Sequence, residues 1–598
     1  MCYENSGCSG LTSINFPDGL LSIGDNSFRN CTGLASITIP SSVSSLGSHS
    51  FSNCTGLTSF IIPSNVTSIG NGILSSCSSL QDVVVESGNP VYDSRDNCKA
   101  IIETATNTMI AGFIFTDFPS SVTAIGNSAF YGCTGLTSMT IPNTVTKLGD
   151  YAFSDCSDLT SIEIPSSVES IGESAFSGCS RLTSISLPDG LQSLGDHSFS
   201  YCTGLTSISI PNSLLSLGSF SFMNCTGLTS ITIPNGMIGI YAFKECSGLK
   251  SVTLQDGVTS IGIYAFQDCK NLTSITIQNG SIGDWAFYGC SGLESLILQD
   301  GVTSIGKFAF DNCDGLTEIV IPSSVTSLGY AAFSYCSNLK SVVFKSLPLI
   351  NDDGAFGALK LENVILDLTD SEKPYIGFPL RGYPSGGFTE AHYHRTLEKG
   401  KWGTIVLPFM PTDGSDGLEF YELKEMAIGG ESGSLTFTKV DAPVAGMPYL
   451  VKNVSDSKTE FTLTASNNPA VTVNATNQTA DGFALKGNFQ QTSLNTTENK
   501  NDNLYYLKDN EFWHATGKIN IAPFRAYIES DGSSQVNSFM LVIEDDDVTA
   551  IPGILDEDGT IDETEAIYDL SGRRLAAPVK GQINIIRTKS GKTIKRLF

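Results

Sequence analysis

No stretch of this chain is both long and apolar enough for a membrane helix, which needs roughly 18 to 20 such residues. The longest apolar run is the short one at 109–115. Basic residues are also scarce, with 34 Lys and Arg against 61 Asp and Glu and a formal net charge of −27. Proteins that bind nucleic acid need basic patches for the phosphates. We therefore predict neither a transmembrane segment nor a nucleic-acid partner.

Cysteine is absent after Cys336, and the sequence has no C-x-x-C pair of the kind that binds zinc. All but two of the 16 cysteines, Cys2 and Cys98, instead recur at one repeat position, mostly 23 or 21 residues apart. The members of this series are Cys8, Cys31, Cys54, Cys77, Cys133, Cys156, Cys179, Cys202, Cys225, Cys246, Cys269, Cys290, Cys313 and Cys336. Fixed periods of this size indicate a solenoid.

Each interval follows one pattern, seen from Cys133 to Cys156 as CTGLTSMTIPNTVTKLGDYAFSDC. Apolar residues alternate with Ser and Thr after the first Leu, which predicts a short strand with one buried face. Pro142 ends that strand, Gly149 predicts a turn with positive φ, and Phe153 returns the chain to the core. One unit buries too little apolar surface to fold alone, so neighbouring units must share a core. The 21-residue intervals lack two residues, and we predict that both deletions fall in loops.

The LTSITIP strings, the G-x-x-A-F element and the cysteine column together resemble the BspA-type leucine-rich repeat family of bacterial surface proteins. The resemblance covers about residues 1–365. It implies attachment to host matrix proteins or to other cells. Residues 89–113 are similar to an insertion common in that family, and apolar residues on both sides of Thr106 and Asn107 predict a hairpin set into the solenoid.

The repeat pattern ends near residue 370, which predicts a solenoid domain at 1–370 with an insertion at about 81–119. Residues 371–388 are rich in Pro and Gly and predict a linker. Short strands separated by turns predict a β-sandwich at 389–545. The predicted strands are 403–409, 435–440, 448–452, 460–464, 470–473, 483–487, 504–508, 524–528 and 538–543. The predicted fold class is mostly β: a leucine-rich-repeat solenoid of about 14 rungs of 21–23 residues with one hairpin insertion, followed by an antiparallel β-sandwich domain.

The strings KWGTIVLPF, MPYLVK and APFRAYIE are similar to a β-sandwich module near the carboxyl end of many surface proteins from anaerobic Gram-negative bacteria. Residues 546–562 predict an acidic linker and 563–598 a basic tail. That tail resembles the carboxyl-terminal sorting segment of proteins exported by the type IX secretion route, which implies an extracellular or outer-cell-surface location. The amino terminus enters the solenoid in mid-repeat without a signal region, and we expect an amino-terminally truncated or mis-started reading frame.

Cysteines in consecutive rungs stack about 5 Å apart inside the coil, where Cys acts as a small hydrophobe. A continuous run of bridged neighbours would demand unfavourable disulfide geometry. We therefore predict buried, unreactive thiols along the whole column, among them Cys133, Cys156, Cys179, Cys202 and Cys225.

Few residues suggest catalysis, because only five histidines occur and no Ser–His–Asp set stands out. His392 and His394 share one face of a predicted strand, where a distant carboxylate could complete a metal site. We favour the alternative that they are polar residues on an edge strand. Residues 556–565 match part of a calcium loop without its first ligand, and we favour a solvated linker there. We predict no metal, no cofactor and no enzymatic activity.

The strand residues that point away from the core form two columns, mostly of Ser and Thr. We predict that they bind a ligand, although Ser and Thr also simply suit solvent and strands. The predicted binding residues are Ser138, Thr140, Ser161, Glu163, Ser184, Ser186, Ser207, Ser209, Ser230, Thr232, Ser251 and Thr253. Apolar spots that could act as local contact sites interrupt the second column at Ile61, Val84, Ile297, Val320 and Val343.

The first functional hypothesis is a non-enzymatic surface or secreted adhesin that binds extracellular proteins, other cells or glycans through this strand face. One alternative is a hydrolase or carbohydrate-active enzyme with a site in 389–545 around His392, His394, Trp402 and His514. Another is a purely structural surface spacer, which predicts no saturable ligand. The oligomeric state is left open.

Overall fold

The computed structural model describes residues 8–346, most of 349–369, 387–466 apart from 430 and 431, and beyond residue 474 chiefly the strands. The chain separates into two compact units. The solenoid unit comprises chiefly Met1–Val343 and Pro348–Asn363, and the second unit chiefly Phe344–Leu347, Val364–Pro379 and Gly386–Phe598. Both predicted linkers, 371–388 and 546–562, lie almost entirely outside the described residues.

The solenoid unit is built from two rows of parallel strands. The first row consists of Ser59–Ile62, Asp82–Val85, Ser138–Thr140, Ser161–Glu163, Ser184–Ser186, Ser207–Ser209, Ser230–Ile238, Ser251–Ile261, Ser274–Ile282, Ser295–Ile305, Glu318–Ile321 and Ser341–Phe344. The second row consists of Ser22–Ile23, Ser45–Leu46, Ser68–Ile69, Ala124–Ile125, Lys147–Leu148, Ser170–Ile171, Ser193–Leu194, Ser327–Leu328 and Leu349–Ile350. In the rungs between residues 230 and 305, one continuous strand runs through both rows.

Neighbouring rungs pair in parallel at the offset of the repeat. Ser138 pairs with Ser161 in the first row, and Lys147 pairs with Ser170 in the second. The alternation predicted from the sequence is present, because the Ser161–Glu163 strand buries its central residue and exposes the other two. The prediction of a mostly β solenoid is confirmed.

The Phe of each G-x-x-A-F element is buried in one continuous column. Phe222, Phe243 and Phe266 are each 0% exposed, and the ring of Phe243 lies 5.2 and 5.1 Å from its two neighbours, nearly parallel to both. Because each ring covers the next, a rung completes its core only when its neighbours are folded.

In six consecutive rungs, from residue 197 to residue 308, a second aromatic stack lies two residues before the buried column and is only half-buried. Its members all have φ between 54 and 59, in the left-handed region that bulky residues avoid. Rung-to-rung contacts hold them there: the backbone N–H of Tyr241 donates to the carbonyl of Ile263 at 2.9 Å, and the Tyr241 and Tyr264 rings lie 4.7 Å apart. The outer stack comprises His197, Phe220, Tyr241, Tyr264, Trp285 and Phe308.

The prediction of positive φ at Gly149 and its equivalents is wrong. The left-handed residue is Tyr151, two positions later, with φ 57. Glycine is needed at 149 for space, because a Cβ there would lie 2.5 Å from Oδ1 and 2.7 Å from the backbone nitrogen of Asn127 in the preceding rung. Close approach of two stacked backbones, and not a turn conformation, therefore explains this glycine.

The prediction that the 21-residue intervals lose loop residues is also wrong. Ser230–Ile238 and Ser274–Ile282 are nine-residue strands that pair with the eleven-residue strands Ser251–Ile261 and Ser295–Ile305. Register shifts inside these pairings absorb the two missing residues. The deletions fall within strands because these rungs have no loop between their two rows.

The insertion contains the predicted hairpin. Ile101–Glu103 pairs antiparallel with both Tyr92–Asp93 and Thr108–Ala111. Thr108–Ala111 then pairs in parallel with Ala124–Ile125, so the hairpin joins the second strand row of the solenoid. The short 3-10 helix Arg95–Asn97 lies beside it. In the part of the chain that the structure describes, no helix is long and apolar enough to cross a membrane.

The second unit is also built from strands. Asn363–Thr369 pairs in parallel with Glu390–Thr396, which pairs antiparallel with Glu460–Ser466. A ten-stranded sheet has the order Trp402–Val406, Pro448–Asn453, Leu418–Gly429, Ser432–Val440, Ser538–Glu544, Glu511–His514, Leu504–Lys508, Arg525–Ser530, Phe483–Asn488 and Asn477–Ala480. Ser432–Val440 and Ser538–Glu544 are parallel, and the other pairs within the sheet are antiparallel. The predicted antiparallel strands are thus present, whereas their arrangement as a sandwich stays a prediction.

Smaller sheets complete the second unit. Thr492–Leu494 pairs with Ile519–Ile521, and Ile554–Leu555 pairs with Ile561–Asp562. The predicted basic tail contains a four-stranded antiparallel sheet with the order Arg574–Leu575, Thr564–Tyr568, Ile583–Thr588 and Thr593–Leu597.

Asp311 is an uncompensated carboxylate in the solenoid core, and Asp311→Asn is expected to stabilise the protein above pH 6. The residue is 4% exposed, and its Oδ1 has no hydrogen-bond partner among the described residues. Burial raises the pKa of Asp311 to about 6, against a smaller opposing effect of the Asn312 backbone N–H. Because the folded pKa of Asp311 lies above that of the unfolded chain, the contribution of this group to stability is fully present below about pH 4 and is lost as pH rises through 6.

A rise of this size in the pKa corresponds to at most about 3 kcal/mol of lost stability. In urea unfolding at pH 7.5, Asp311→Asn should therefore unfold at a higher midpoint than the wild type, and the difference should disappear near pH 4. Asp189→Asn, at an exposed position, is the control and should leave the urea midpoint unchanged both at pH 7.5 and near pH 4. A wild type that is no less stable at pH 7.5 than Asp311→Asn would contradict the prediction.

Candidate functional site

The two Ser/Thr columns form adjacent rows on the exposed face of the first strand row. Ser184 pairs with Ser207, and Ser186 pairs with both Ser209 and Glu163. All twelve predicted binding residues are exposed. The structure therefore brings together on one surface the residues that the sequence predicted.

The hydroxyls of these columns are not used by the fold. Several Thr residues that directly precede a strand donate their hydroxyl to the rung before, as Thr160 does to the Thr137 carbonyl at 2.9 Å and Thr206 to the Thr183 carbonyl at 3.1 Å. In contrast, none of the twelve predicted side chains has a hydrogen-bond partner among the described residues. Their donors and acceptors remain available to a ligand.

The apolar interruptions of the second column are exposed at both ends. Ile61 and Val84 are 53% and 38% exposed and pair with each other across adjacent strands. Ile297 and Val320 are 51% and 45% exposed, and Val343 is half-buried. These residues add apolar contact surface next to the hydroxyl rows.

The cysteine column lies inside the solenoid, with free thiols at every described position of the series from Cys31 to Cys336. The Sγ atoms of Cys156 and Cys202 each donate to a Phe carbonyl at 3.1 Å, and burial raises the pKa of both thiols to about 12. Burial also raises the pKa of Cys179 and Cys225, and Cys133 is only partly buried. Thiols this resistant to ionisation are poor nucleophiles near neutral pH.

Cys8 is the exception to the buried-thiol prediction. It occupies the first position of the series but is disulfide-bonded. The prediction of free thiols for the whole column is therefore wrong at this end.

His392 and His394 lie on the outer face of the Glu390–Thr396 strand, as the two-residue spacing predicts. Their predicted place on an edge strand is wrong, because this strand lies between Asn363–Thr369 and Glu460–Ser466. The parallel neighbour contributes Asp367, which pairs with His392 in the register. Potential ligand atoms of Asp367, His392 and His394 all lie within 4.8 Å of one another.

A chain of polar contacts orders this cluster. The Nε2 atom of His394 lies 2.7 Å from Oδ1 of Asp367, and its Nδ1 atom lies 2.9 Å from the hydroxyl oxygen of Thr462. Lys345 donates to Oδ2 of the same aspartate, and Nε2 of His392 lies 3.1 Å from a carboxylate oxygen of Glu390. Burial of Asp367 opposes its ionisation, but Lys345 and His394 outweigh this and hold the pKa of Asp367 below its ordinary value. The carboxylate is therefore charged at neutral pH.

The Thr462, His394 and Asp367 contacts resemble the hydroxyl–imidazole–carboxylate set of some hydrolases. Such a set also needs N–H donors for the oxyanion that forms during acyl transfer. Thr462 lies within an antiparallel pairing, opposite His394, where the backbone is occupied by the sheet ladder. The cluster lies on an open sheet face, and metal binding suits its donor types better than catalysis by the threonine.

Trp402, which the hydrolase hypothesis also names, does not belong to this cluster. Trp402 belongs to the ten-stranded sheet, where its ring lies 5.1 Å from that of Tyr421 and 5.1 Å from the Lys452 ammonium. His514 ends the Glu511–His514 strand, and its side chain lies outside the described residues. Most of the partial calcium loop at 556–565 is outside them as well.

Asp367 is the site residue that the sequence analysis missed. The alternation in NVILDLT, at Asn363–Thr369, places it on the polar face of a strand, which is the one signal available. The pairing of this strand with the histidine strand was not encoded in any local pattern.

Comparison with known proteins places the solenoid in a family. The model of the BspA type leucine rich repeat region matches in 6 copies, at residues 2–98, 111–226, 179–280, 216–340 and 278–372. A similar solved structure is that of a leucine-rich repeat protein from Bacteroides ovatus, 28% identical, covering 60% of this chain and 86% of that one, with a TM-score of 0.40. Another is a leucine rich cell surface protein from Faecalibacterium prausnitzii, 26% identical, covering 56% and 86%, with a TM-score of 0.33.

The leucine rich repeat protein of T. pallidum is 29% identical, covering 30% of this chain and 86% of its own, with a TM-score of 0.27. A comparison with curated proteins found no match. The family model covers more than half of the chain and coincides with the repeats described above. This protein belongs to the BspA-type leucine-rich repeat family.

Proposed function

We propose that this protein is a non-enzymatic recognition protein, secreted or held at the outer cell surface, that binds an extended protein segment or glycan through the exposed strand face of its solenoid. The observation that carries the proposal is the pair of hydroxyl columns whose donors and acceptors the fold leaves unused. The resemblance to the BspA-type family supports, as part of this proposal, an adhesin role in attachment to host matrix proteins or to other cells.

The spacing of the columns supports an extended partner. Successive rungs repeat the same hydroxyl about every 4.8 Å, the distance between paired strands. Ser and Thr hydroxyls both donate and accept, so they suit amide groups and sugar hydroxyls alike. Apart from Glu163, the predicted binding residues carry no charge, so hydrogen bonding and shape would dominate recognition.

The apolar ends of the face supply anchors. Large exposed side chains lie beside the polar rows at both ends of the face, Ile61 and Val84 at one end and Ile297 and Val320 at the other. Burial of exposed apolar side chains such as these favours association with a partner. A partner with apolar groups at its ends and polar groups between them would match the face.

A cell-surface location has two supports. The family resemblance is one. The other is the basic tail, whose resemblance to a sorting segment stays a proposal.

The test is saturable binding of the full chain to an array of matrix proteins and glycans. Ser184→Arg with Ser207→Arg places two bulky charges on adjacent rungs of the face. We expect this double variant to weaken binding at least tenfold, since it blocks the hydroxyl rows and adds groups that must be desolvated. Ser170→Arg with Ser193→Arg, a paired change in the second strand row, is the matched control and should leave binding unchanged.

An equal loss of binding affinity in both double variants would show that the added charge, and not the strand face, determines binding. The absence of saturable binding by the wild-type protein would instead favour the spacer hypothesis.

A further inference from the structure

The outer face of the small sheet in the second unit gathers donor groups that the recognition surface of the solenoid does not use. Asp367 lies directly beside His392 in the parallel pairing, and His394 follows two residues later on the same face. Their potential ligand atoms lie within 4.8 Å of one another. Two imidazoles and one carboxylate are a donor set that zinc and similar transition metals prefer.

The contacts around His394 orient its ring as a metal ligand requires. Its Nε2 atom lies 2.7 Å from Oδ1 of Asp367, and since an ionised carboxylate only accepts, the Nε2–H donates to it. Its Nδ1 atom lies 2.9 Å from the hydroxyl of Thr462, which can donate to Nδ1 or accept from it. A cation that replaces the Nε2 proton would gain both Nε2 and Oδ1 as ligands, and the Thr462 hydroxyl would then accept the Nδ1–H.

The second histidine is oriented in the same way. Glu390 contacts Nε2 of His392 at 3.1 Å, the arrangement in which a carboxylate commonly supports a metal-binding imidazole. The side chains of Asp367, His392 and His394 are 17%, 27% and 44% exposed, so a cation can reach them from solvent. Tetrahedral coordination at about 2.0–2.2 Å would bring the ligand atoms to roughly 3.4 Å apart, a small rotation of partly exposed side chains.

Removal of the Lys345 charge distinguishes a metal site from a purely structural cluster of salt bridges. It donates to Oδ2 of Asp367 and leaves Oδ1 facing His394. Its ammonium group helps to keep the carboxylate ionised but repels a bound cation. Removal of this charge should therefore strengthen metal binding, whereas it would weaken a purely structural cluster of salt bridges.

We propose that Asp367, His392 and His394 form a binding site for one divalent transition-metal ion of the zinc class, with water in the remaining coordination positions. All three residues, together with Lys345 and Thr462, belong to the second unit, so the site does not depend on the solenoid face or on its ligand. Failure of either proposal leaves the other untouched.

The experiment is a titration of the full chain with Co²⁺ under reducing conditions, followed by visible absorption, with Zn²⁺ added to displace it. We expect ligand-field bands that saturate at about one Co²⁺ per chain, with no thiolate-to-cobalt charge-transfer band, because the solenoid thiols ionise poorly. His392→Gln, His394→Gln and Asp367→Asn should each weaken binding at least tenfold, and Thr462→Val about tenfold. Lys345→Gln should tighten it.

Glu460→Gln is the matched control, since it removes an exposed carboxylate from the same sheet and should leave the Co²⁺ affinity unchanged. The circular dichroism of each variant shows whether it is folded. Absence of saturable binding, a thiolate band that survives the histidine substitutions, or weaker binding in Lys345→Gln would each overturn the proposal.

Discussion

Replacement of Gly280 by Ala is expected to destabilise the solenoid by about 3 kcal/mol or more, which equilibrium urea unfolding followed by circular dichroism would detect as a lower midpoint. Gly280 has φ 85 within the Ser274–Ile282 strand. A Cβ added there would lie 1.9 Å from the carbonyl oxygen of Thr259 in the preceding rung, so the backbone of one rung must move. In a stack of rungs such a shift also disturbs the next pairing.

Gly88→Ala is the matched control for this prediction. Gly88 has φ 88, almost the same conformation, but a Cβ there would have no neighbour within 4 Å. The control therefore carries the conformational strain of about 1–2 kcal/mol without the steric clash. Equal losses of stability in the two variants would show that conformation alone, and not backbone stacking, requires glycine at 280.

Phe243→Ala is expected to lower the free energy of unfolding by about 3–5 kcal/mol. The ring is fully buried between those of Phe222 and Phe266, so its removal leaves a cavity that fixed neighbours on both sides cannot fill. Urea unfolding measures the loss. Hydrogen exchange should show reduced protection in the rungs on both sides of the cavity, because each rung depends on its neighbours.

Tyr241→Ala separates ring stacking from burial. Tyr241 lies two residues away in the same rung and also stacks on rings from both adjacent rungs, but it is only half-buried. Its removal should lower the free energy of unfolding by about 1 kcal/mol, because the ring stacking is lost but little cavity forms. If Tyr241→Ala proved as destabilising as Phe243→Ala, burial in the inner column would not be the main source of stability.

The strands of the second unit show how well local sequence patterns predict strand positions. The prediction of 504–508 coincides with Leu504–Lys508, and that of 448–452 lies within Pro448–Asn453. The Leu418–Gly429 strand was missed, because its register shifts between Leu423 and Glu425 and the apolar alternation is broken there. The predicted strand at 470–473 lies outside the described residues.

The glycines illustrate a different failure. The recurrence of Gly149 in every rung was correctly noticed, but a repeated glycine can signal either a left-handed conformation or a lack of space. Only the position of Asn127 in the preceding rung distinguishes the two. The left-handed residues two positions later include large aromatic ones such as Tyr241, which no propensity scale would select.

The repeat period, the buried Phe and Cys columns and the exposed hydroxyl rows all follow from the amino-acid pattern of this protein. In a solenoid each residue contacts its equivalent one repeat away, so a one-dimensional period directly fixes the three-dimensional neighbours. No repeat period predicts that Asp367, His392 and His394 lie together. The cluster exists because two strands from separate segments pair at one particular register, and that pairing is decided by the packing of the whole second unit.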